Sequence, residues 1–224
     1  MIKKVFQRIA RCNVIQNHRH GKYYRRWLKL GKPIPPPHTV KQMIVKEYAK
    51  KFKTRIFVET GTYLGDMVLE MIDNFYKIYS IELSPDLYEQ AKKKFSGYKH
   101  VSILKGDSSY VLSEILKDIK EPCLFWLDAH YSKGITAMGS NETPVIEELK
   151  YILHHPVDDH VILIDDARCF TEKRSYPTLE KLKQLIWSRC PHYAFEVKDD
   201  IIRSHKRENP VSSDTTVQVE SVPQ

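Results

Sequence analysis

The sequence predicts an α/β domain with a mostly parallel sheet of seven strands, a C-terminal antiparallel hairpin, and helices on both faces. Short apolar runs alternate five times with segments whose apolar residues recur at a helical period. After the last of these helices, two extended segments flank the turn-forming sequence Lys198-Asp199-Asp200, which predicts a hairpin at one edge of the sheet. The 224 residues are enough for one domain with a sizeable core.

The apolar runs predict five buried parallel strands, at residues 56–58, 78–81, 101–104, 123–127 and 161–164. Helices are predicted at residues 40–52, 66–75, 85–95, 111–119 and 179–187, with one more that begins at Pro144. Pro85 and Pro144 mark helix starts because proline suits the first helical position. Residues 193–197 and 201–204 form the predicted hairpin strands.

Basic residues are concentrated near the N-terminus. Residues 1–50 carry 13 lysines and arginines and a single acid, whereas the remainder carries 23 basic and 27 acidic residues. We therefore expect a basic extension with a proline-rich linker at 1–37, the compact domain at 38–207 and a polar, disordered tail at 208–224. The extension could contact a nucleic acid or an anionic membrane surface, or it could be a solvated arm; these alternatives stay open.

The composition also indicates a cellular compartment. No segment approaches the roughly 20 consecutive apolar residues that a membrane helix needs. The basic N-terminus lacks the apolar core and the cleavage site of a signal peptide. The four cysteines are scattered and have no metal-binding spacing. These features predict a reduced, cytoplasmic protein.

A carboxylate stands at or just after the end of every predicted parallel strand: Glu59, Glu82, Asp107, Asp128, and the pair Asp165 and Asp166. Ligands of open α/β sheets bind at the carboxyl ends of the strands, so we expect these side chains to surround a binding site. Acids in such positions also cap the following helix, and that alternative applies to each of them singly.

The first strand leads into the glycine turn, Glu59-Thr60-Gly61-Thr62-Tyr63-Leu64-Gly65. Gly61 and Gly65 permit a positive φ and a close approach of the backbone to a ligand. Their spacing differs from the dinucleotide-binding fingerprint, and the Lys-Ser/Thr pair of a P-loop is absent. Asp66 follows directly and would repel a triphosphate. The turn therefore favours a zwitterionic ligand whose ammonium group could face Glu59.

The ordered set of motifs resembles a known family. It consists of the glycine turn, Ser80-Ile81-Glu82, Lys105-Gly106-Asp107-Ser108 and Phe125-Trp126-Leu127-Asp128. Together these segments resemble the class I methyltransferases that use S-adenosylmethionine (SAM), and most closely the small enzymes of bacterial polysaccharide and sugar-modification pathways. The resemblance covers residues 54–205 and implies a Rossmann-like fold and SAM as the methyl donor.

The resemblance also implies which residues bind SAM. Glu59, Gly61, Thr62 and Gly65 would hold its methionine part. Glu82 would accept hydrogen bonds from both ribose hydroxyls, a charge-assisted arrangement that suits a carboxylate.

The end of the third strand would bind the adenine group. Asp107 would face the adenine amino group, with Ser108 as a nearby donor. Tyr63 departs from the family pattern because it stands at the middle glycine of the turn, which leaves the shape of the turn open at that position.

The acceptor side is predicted after the fourth and fifth strands. Clustered carboxylates repel one another unless a cation or protons neutralise them, and oxygen ligands suit Mg²⁺ or Ca²⁺. Asp128, Asp165 and Asp166 are therefore candidate metal or substrate ligands, with Asp128 also a candidate catalytic residue. His130 is the candidate general base because imidazole titrates near neutral pH. Alternatively, one aspartate of the pair could form an ion pair with Arg168.

Transfer of a methyl group to a sugar or another small hydroxyl-bearing acceptor, with Mg²⁺ as a candidate cofactor, is the favoured function. Three alternatives stay open. The first is methylation of RNA or another nucleic acid, which the basic extension would bind. The second is a protein of this fold that binds SAM without catalysis. The third is a metal-independent N- or C-methyltransferase.

Overall fold

The computed structural model of the protein describes residues 21–128, 144–171 and 176–207. Residues 21–29 are helical and are called α1 here. The remaining helices are α2 (His38–Phe52), α3 (Asp66–Met71), α4 (Pro85–Phe95), α5 (Ser108–Asp118), α6 (Val145–Leu153) and α7 (Leu179–Arg189), with a short 3₁₀ helix at Ala167–Cys169. The strands are β1 (Ile56–Thr60), β2 (Lys77–Glu82), β3 (Val101–Lys105), β4 (Cys123–Leu127), β5 (Val161–Ile164), β6 (Tyr193–Lys198) and β7 (Ile201–Lys206).

The seven strands form one sheet in the order β3-β2-β1-β4-β5-β7-β6. The first five of that order are parallel, and β7 pairs antiparallel with both β5 and β6. The predicted fold class is therefore confirmed: a mostly parallel sheet that ends in an antiparallel hairpin.

Each face of the sheet packs against helices, because successive side chains of a strand point to opposite faces. Ile56 and Val58 of β1 pack in a core with residues of α5, α6 and α7. Phe57, between them, packs in a second core with residues of α2, α3 and α4. Strands covered on both sides read as continuous apolar runs, which is why β1, β4 and β5 were recognisable in the sequence.

Local chemistry explains where several elements begin. The Ser84 and Thr178 hydroxyls cap α4 and α7 by accepting hydrogen bonds from the backbone N–H groups of Leu87 and Lys181. The hairpin between β6 and β7 turns through Asp199 and Asp200, whose φ angles are 54° and 62°. A two-residue hairpin turn of this hand needs positive φ at both central residues, and aspartate tolerates that conformation.

Part of the predicted N-terminal extension packs against the domain. Trp27 of α1 is only 2% exposed and lies in the core beside α2. Its indole N–H donates to the carbonyl oxygen of Pro33 at 2.9 Å. A boundary after residue 37 stays a prediction, as does the disordered tail at 208–224, which lies outside the described residues. Among the residues described, no helix is both long and apolar enough to cross a bilayer.

Candidate active site

The predicted site residues that the structure describes lie at the carboxyl ends of the parallel strands. The register pairs Thr60 of β1 with Ile81 of β2 and with Leu127 of β4, and pairs Leu127 with Ile164 of β5, so these strand ends are level. The chain runs outward from β1 through β2 to β3, and then returns to place β4 on the other side of β1. The carboxyl ends of β1 and β4 thus mark the topological switch point, where ligands of such sheets bind.

The glycine turn has three residues with positive φ: Gly61 at 86°, Tyr63 at 49° and Gly65 at 72°. The backbone N–H groups of Gly61 and Thr62 both donate to the carbonyl oxygen of Ile81, which fixes the turn against β2. Tyr63 itself adopts the left-handed conformation that glycine adopts without steric cost. Tyr63 therefore has a backbone shape that favours glycine and holds it at some cost in strain.

Glu59 is a buried carboxyl at the end of β1. Its Oε2 accepts a hydrogen bond from Ser80 Oγ at 2.5 Å, and Thr62 Oγ1 lies 2.6 Å from the same Ser80 oxygen. Burial raises the pKa of Glu59 well above its ordinary value; the Ser80 hydrogen bond opposes this shift, and the Asp128 and Glu82 carboxylates add to it. A cationic group bound beside Glu59 would stabilise its charged form and so lower the raised pKa.

Glu82 joins two loops of the site. Its Oε2 accepts from the backbone N–H of Tyr63 at 2.8 Å, and its Oε1 accepts from the N–H of Ser84 at 2.9 Å. The carboxylate is therefore held at the end of β2 by the glycine turn on one side and by the loop before α4 on the other. A carboxylate oxygen has more than one acceptor position, so these two bonds leave Glu82 able to accept from ligand hydroxyls.

Asp107 caps a helix, which is the alternative role predicted for an acid that follows a strand. It is the N-cap of α5, and its Oδ1 accepts from both the backbone N–H and the hydroxyl of Ser109, at 2.9 and 2.6 Å. Ser108 begins the helix and is buried. Both residues lie at the end of β3, on the far side of β2 from the acidic residues after β4 and β5.

Glu148 of α6 is a buried acid beside the site that the sequence analysis missed. Burial raises its pKa to about 7, hydrogen bonding to Ser108 opposes the shift, and the Asp107 and Asp128 carboxylates add to it. Its Oε1 has no hydrogen-bond partner among the described residues. The signal in the sequence was its place in the apolar stripe of α6, three residues after Val145.

Asp128, Asp165 and Asp166 form the acidic cluster. One carboxylate oxygen from each lies within 4.8 Å of the others. Asp165 and Asp166 are buried, and Asp165 Oδ1 accepts from the backbone N–H of Asp166 at 2.8 Å. Burial, followed by the charge of Asp128, raises the pKa of Asp165 to about 7, although Lys41 opposes that shift.

The acidic cluster fits a divalent cation. Mg²⁺ binds oxygen at about 2.0–2.1 Å and Ca²⁺ at about 2.3–2.6 Å, so two ligands of one ion lie at most about 4.2 or 5.2 Å apart. A spread of up to 4.8 Å is within the limit for two ligands of an ion of the size of Ca²⁺ and slightly beyond that for Mg²⁺.

Lys41 of α2 contacts the acidic cluster, and no local pattern in the sequence predicts this. Its ammonium group forms an ion pair with Asp165 Oδ2 and lies 3.5 Å from Asp166 Oδ1. The pKa of Lys41 is raised: burial lowers it, but the charges of Asp165, Asp166 and Asp128 outweigh that effect. Lys41 and Asp165 are 124 residues apart in the chain, so only the packing of α2 against the sheet brings them together.

Arg168 connects the acidic cluster to the β6–β7 hairpin. Its guanidinium contacts Asp166 Oδ1 at 2.7 Å and also forms an ion pair with Asp200. The backbone N–H of Arg168 donates to Asp200 Oδ1 at 2.9 Å. The ion pair between Arg168 and one aspartate of the pair, an alternative left open by the sequence, is thus present at Asp166.

The candidate general base, His130, lies outside the described residues, as do its neighbours up to residue 143. The described histidine whose charge interacts with Asp128 is His38, at the start of α2. Its pKa is lowered, first by partial burial and then by the Lys41 ammonium, against the opposing charges of Asp66, Asp128 and Glu70.

The fold has counterparts among solved structures. An O-methyltransferase from Bacillus cereus, solved with S-adenosylhomocysteine (SAH), matches with a TM-score of 0.58 and 12% identity over 84% of this chain and 90% of its own. The O-methyltransferase TomG from Streptomyces achromogenes, involved in tomaymycin synthesis and solved with SAM, matches with a TM-score of 0.55 and 13% identity over 84% and 88%. A proposed rRNA methylase from Clostridium thermocellum matches with a TM-score of 0.52 and 13% identity over 72% and 95%.

These likenesses define a fold. The chain has the fold of the class I SAM-dependent methyltransferases, as the resemblance of its motifs implied. At 12 to 13% identity the likeness concerns the fold alone. The sequence matches no protein-family model and no curated protein.

Proposed function

We propose that the protein is a SAM-dependent methyltransferase that methylates a hydroxyl group of a sugar or another small acceptor, with a divalent cation at the acidic cluster. One observation carries the proposal: two adjoining groups of carboxylates at the switch point of a sheet with the methyltransferase fold. Glu59, Glu82 and Asp107 lie at the ends of β1 to β3, and the acidic cluster follows β4 and β5.

The first group suits SAM. The glycine turn would bring the backbone close to the methionine part, and the buried Glu59 would pair with its ammonium group. Glu82 would accept from the two ribose hydroxyls, since its carboxylate is already oriented by the N–H groups of Tyr63 and Ser84. Asp107 and Ser108 would border the adenine, with Thr62 and Gly65 completing the turn around the methionine part. The bound cofactor supplies a sulfonium methyl group, which is electrophilic.

The acidic cluster suits the acceptor. A divalent ion held by Asp128, Asp165 and Asp166 would bind the acceptor hydroxyl and lower its pKa, which makes the oxygen a better nucleophile. His130 is proposed to take the proton, as the sequence analysis inferred. Arg168 and the backbone N–H of Asp166 hold the two adjacent aspartates in place for this task.

The sugar class of acceptor rests on the resemblance to polysaccharide-pathway enzymes. Nucleic-acid methylation is the second candidate, because five basic residues and no acid lie in residues 21–37. Deleting residues 1–20, which carry five lysines and arginines and no acid, keeps Trp27 and should weaken RNA binding if that candidate is correct. Chelation by EDTA separates the metal-assisted reaction from metal-independent N- or C-methylation, since only the former loses activity.

Calorimetric titration with SAM and SAH, with and without Mg²⁺, tests the proposal. Both ligands should bind the unaltered protein. Glu82→Ala would remove two charge-assisted hydrogen bonds and should weaken binding roughly 100-fold or more, because each such bond contributes on the order of 1.5–3 kcal/mol. Glu89→Ala, on the exposed side of α4, is the matched control and should bind as the parent does. Absence of binding for both ligands would contradict the proposed function.

A further inference from the structure

Lys41 contributes a positive charge to the acidic cluster. Its side chain is only 14% exposed, and its ammonium group contacts one carboxylate of the cluster and lies 3.5 Å from a second. Three carboxylates within 4.8 Å of one another repel strongly unless positive charge lies among them. The chain itself supplies such charge through Lys41 and, on the side of Asp200, through Arg168.

The Lys41 ammonium group binds the same carboxylates that a metal ion would bind. It lies against Asp165 Oδ2 and near Asp166 Oδ1, two carboxylates that a bound ion would share. Two cations bound to the same carboxylates lie close together and repel each other. A partly buried environment screens this repulsion only weakly.

The helix that carries Lys41 is anchored on both sides of this residue, whereas the lysine side chain has four rotatable bonds. Lys41 lies in the first turn of α2, between Val40, which is fully buried, and Gln42, which is also buried and bonds to the carbonyl oxygen of Asp66. The ammonium group is carried on a flexible four-carbon stem. Rotation of that stem would withdraw the charge without any movement of the helix.

We propose that Lys41 is the resident cation of the acidic cluster, and that a divalent ion binds there only in competition with its ammonium group. This inference rests on the proposed function, since it concerns the same acidic cluster. It means that the cluster is held together without a metal, and that metal affinity is set in part by a lysine from a different segment of the chain.

Removal of the Lys41 charge tests this competition. Titration of Mn²⁺ into the full-length protein, followed by calorimetry, should show that Lys41→Met binds about tenfold more tightly or better than the parent. Lys41→Arg keeps the charge and should bind Mn²⁺ much as the parent does. Lys46→Met is the matched control: Lys46 is on the same helix and pairs with Glu70, away from the acidic cluster, so its loss should leave Mn²⁺ affinity unchanged.

Thermal unfolding in EDTA supplies the second readout. Lys41→Met should unfold at a lower temperature than the parent in EDTA, and saturating Mn²⁺ should raise its melting temperature more than that of the parent. Equal Mn²⁺ affinities for the parent and Lys41→Met would overturn the inference, as would absence of Mn²⁺ binding to both. Neither result depends on SAM binding, so a failure of the proposed function, read from the SAM titration, is distinguishable.

Discussion

At the scale of single residues, the site contains buried carboxyl groups whose pKa values are raised by burial. Glu59 lies under the glycine turn with one hydroxyl bonded to it, and burial holds its pKa well above the ordinary value. Glu148 shows the same behaviour, with a pKa of about 7. A cation that binds beside such a carboxyl lowers its pKa again, so the free and the occupied site differ in protonation at pH values between the two pKa values.

Proton release should therefore accompany SAM binding. The ammonium group of SAM beside Glu59 should lower the raised pKa of that carboxyl, so binding expels at most about one proton at pH values between the two pKa values. Calorimetry in buffers of different ionisation enthalpy measures this number. The sign is fixed because the free protein holds more protons in that range, so affinity should rise with pH there.

Two controls isolate Glu59 in this measurement. Glu59→Gln should bind SAM without this proton release. Methylthioadenosine, which lacks the amino-acid group, should also bind without it. The same proton count for the parent and Glu59→Gln would show that Glu59 does not face the ammonium group.

At the scale of elements, the turn between β1 and α3 depends on contact with α4. Gly65 has a φ of 72°, and a Cβ at this position would lie 2.6 Å from Cε2 of Phe95, whose side chain is buried in the core. The close approach of the turn to the Phe95 ring thus favours a residue with no side chain at this position. Lys94, the neighbour of Phe95, also donates to the carbonyl oxygen of Leu64 at 2.7 Å, which ties α4 to the same turn.

Gly65→Ala should destabilise the protein by about 2 kcal/mol or more, because the left-handed conformation and the clash with Phe95 both penalise a Cβ. Gly97→Ala is the control, since a Cβ there meets nothing within 4 Å and should change stability by no more than about 0.5 kcal/mol. Urea unfolding monitored by circular dichroism compares the two variants. Equal stabilities would mean that α4 moves aside at little cost.

At the scale of the whole molecule, the sheet separates two cores, and the N-terminal segment completes one of them. Trp27 joins the core formed by α2, α3 and α4, and Lys32 reaches across to an ion pair with Asp199 of the hairpin. Residues near the start of the described chain therefore contact its last strands. Trp27 and Lys32, which lie in the segment predicted to be an extension, thus contact the domain.

Trp27→Ala should lower the free energy of unfolding by about 3–5 kcal/mol, because it empties a large buried volume. Tyr23→Ala, on the same helix but 52% exposed, should change it by no more than about 0.5 kcal/mol. Chemical denaturation of both variants measures the difference. If Trp27→Ala were as stable as Tyr23→Ala, residues 21–37 would act as a separate arm, as the charge distribution first indicated.

Much of the fold could be predicted because its signals are local. The apolar runs of β1, β4 and β5 and the period of the helices each lie within a dozen residues. The end of α3 was less predictable: the helix stops at Met71, and residues 72–74 form a turn closed by the N–H of Asn74 on the carbonyl oxygen of Met71, although Phe75 is still buried. The apolar pattern of the sequence extends past Met71 because Phe75 is buried, so it does not mark the end of the helix.

The sequence by itself determined the alternation of strands and helices, and with it the carboxylates at each strand end, because both are written in short stretches of chain. The tertiary structure alone decided which charges meet those carboxylates. Strand order places the hairpin turn next to β5, so Asp200 binds Arg168, and the packing of α2 delivers Lys41 to Asp165. Arg168 and Asp200 are separated by 32 positions in the chain, and Lys41 and Asp165 by 124 positions. No local sequence pattern encodes such contacts, because they depend on how whole elements pack.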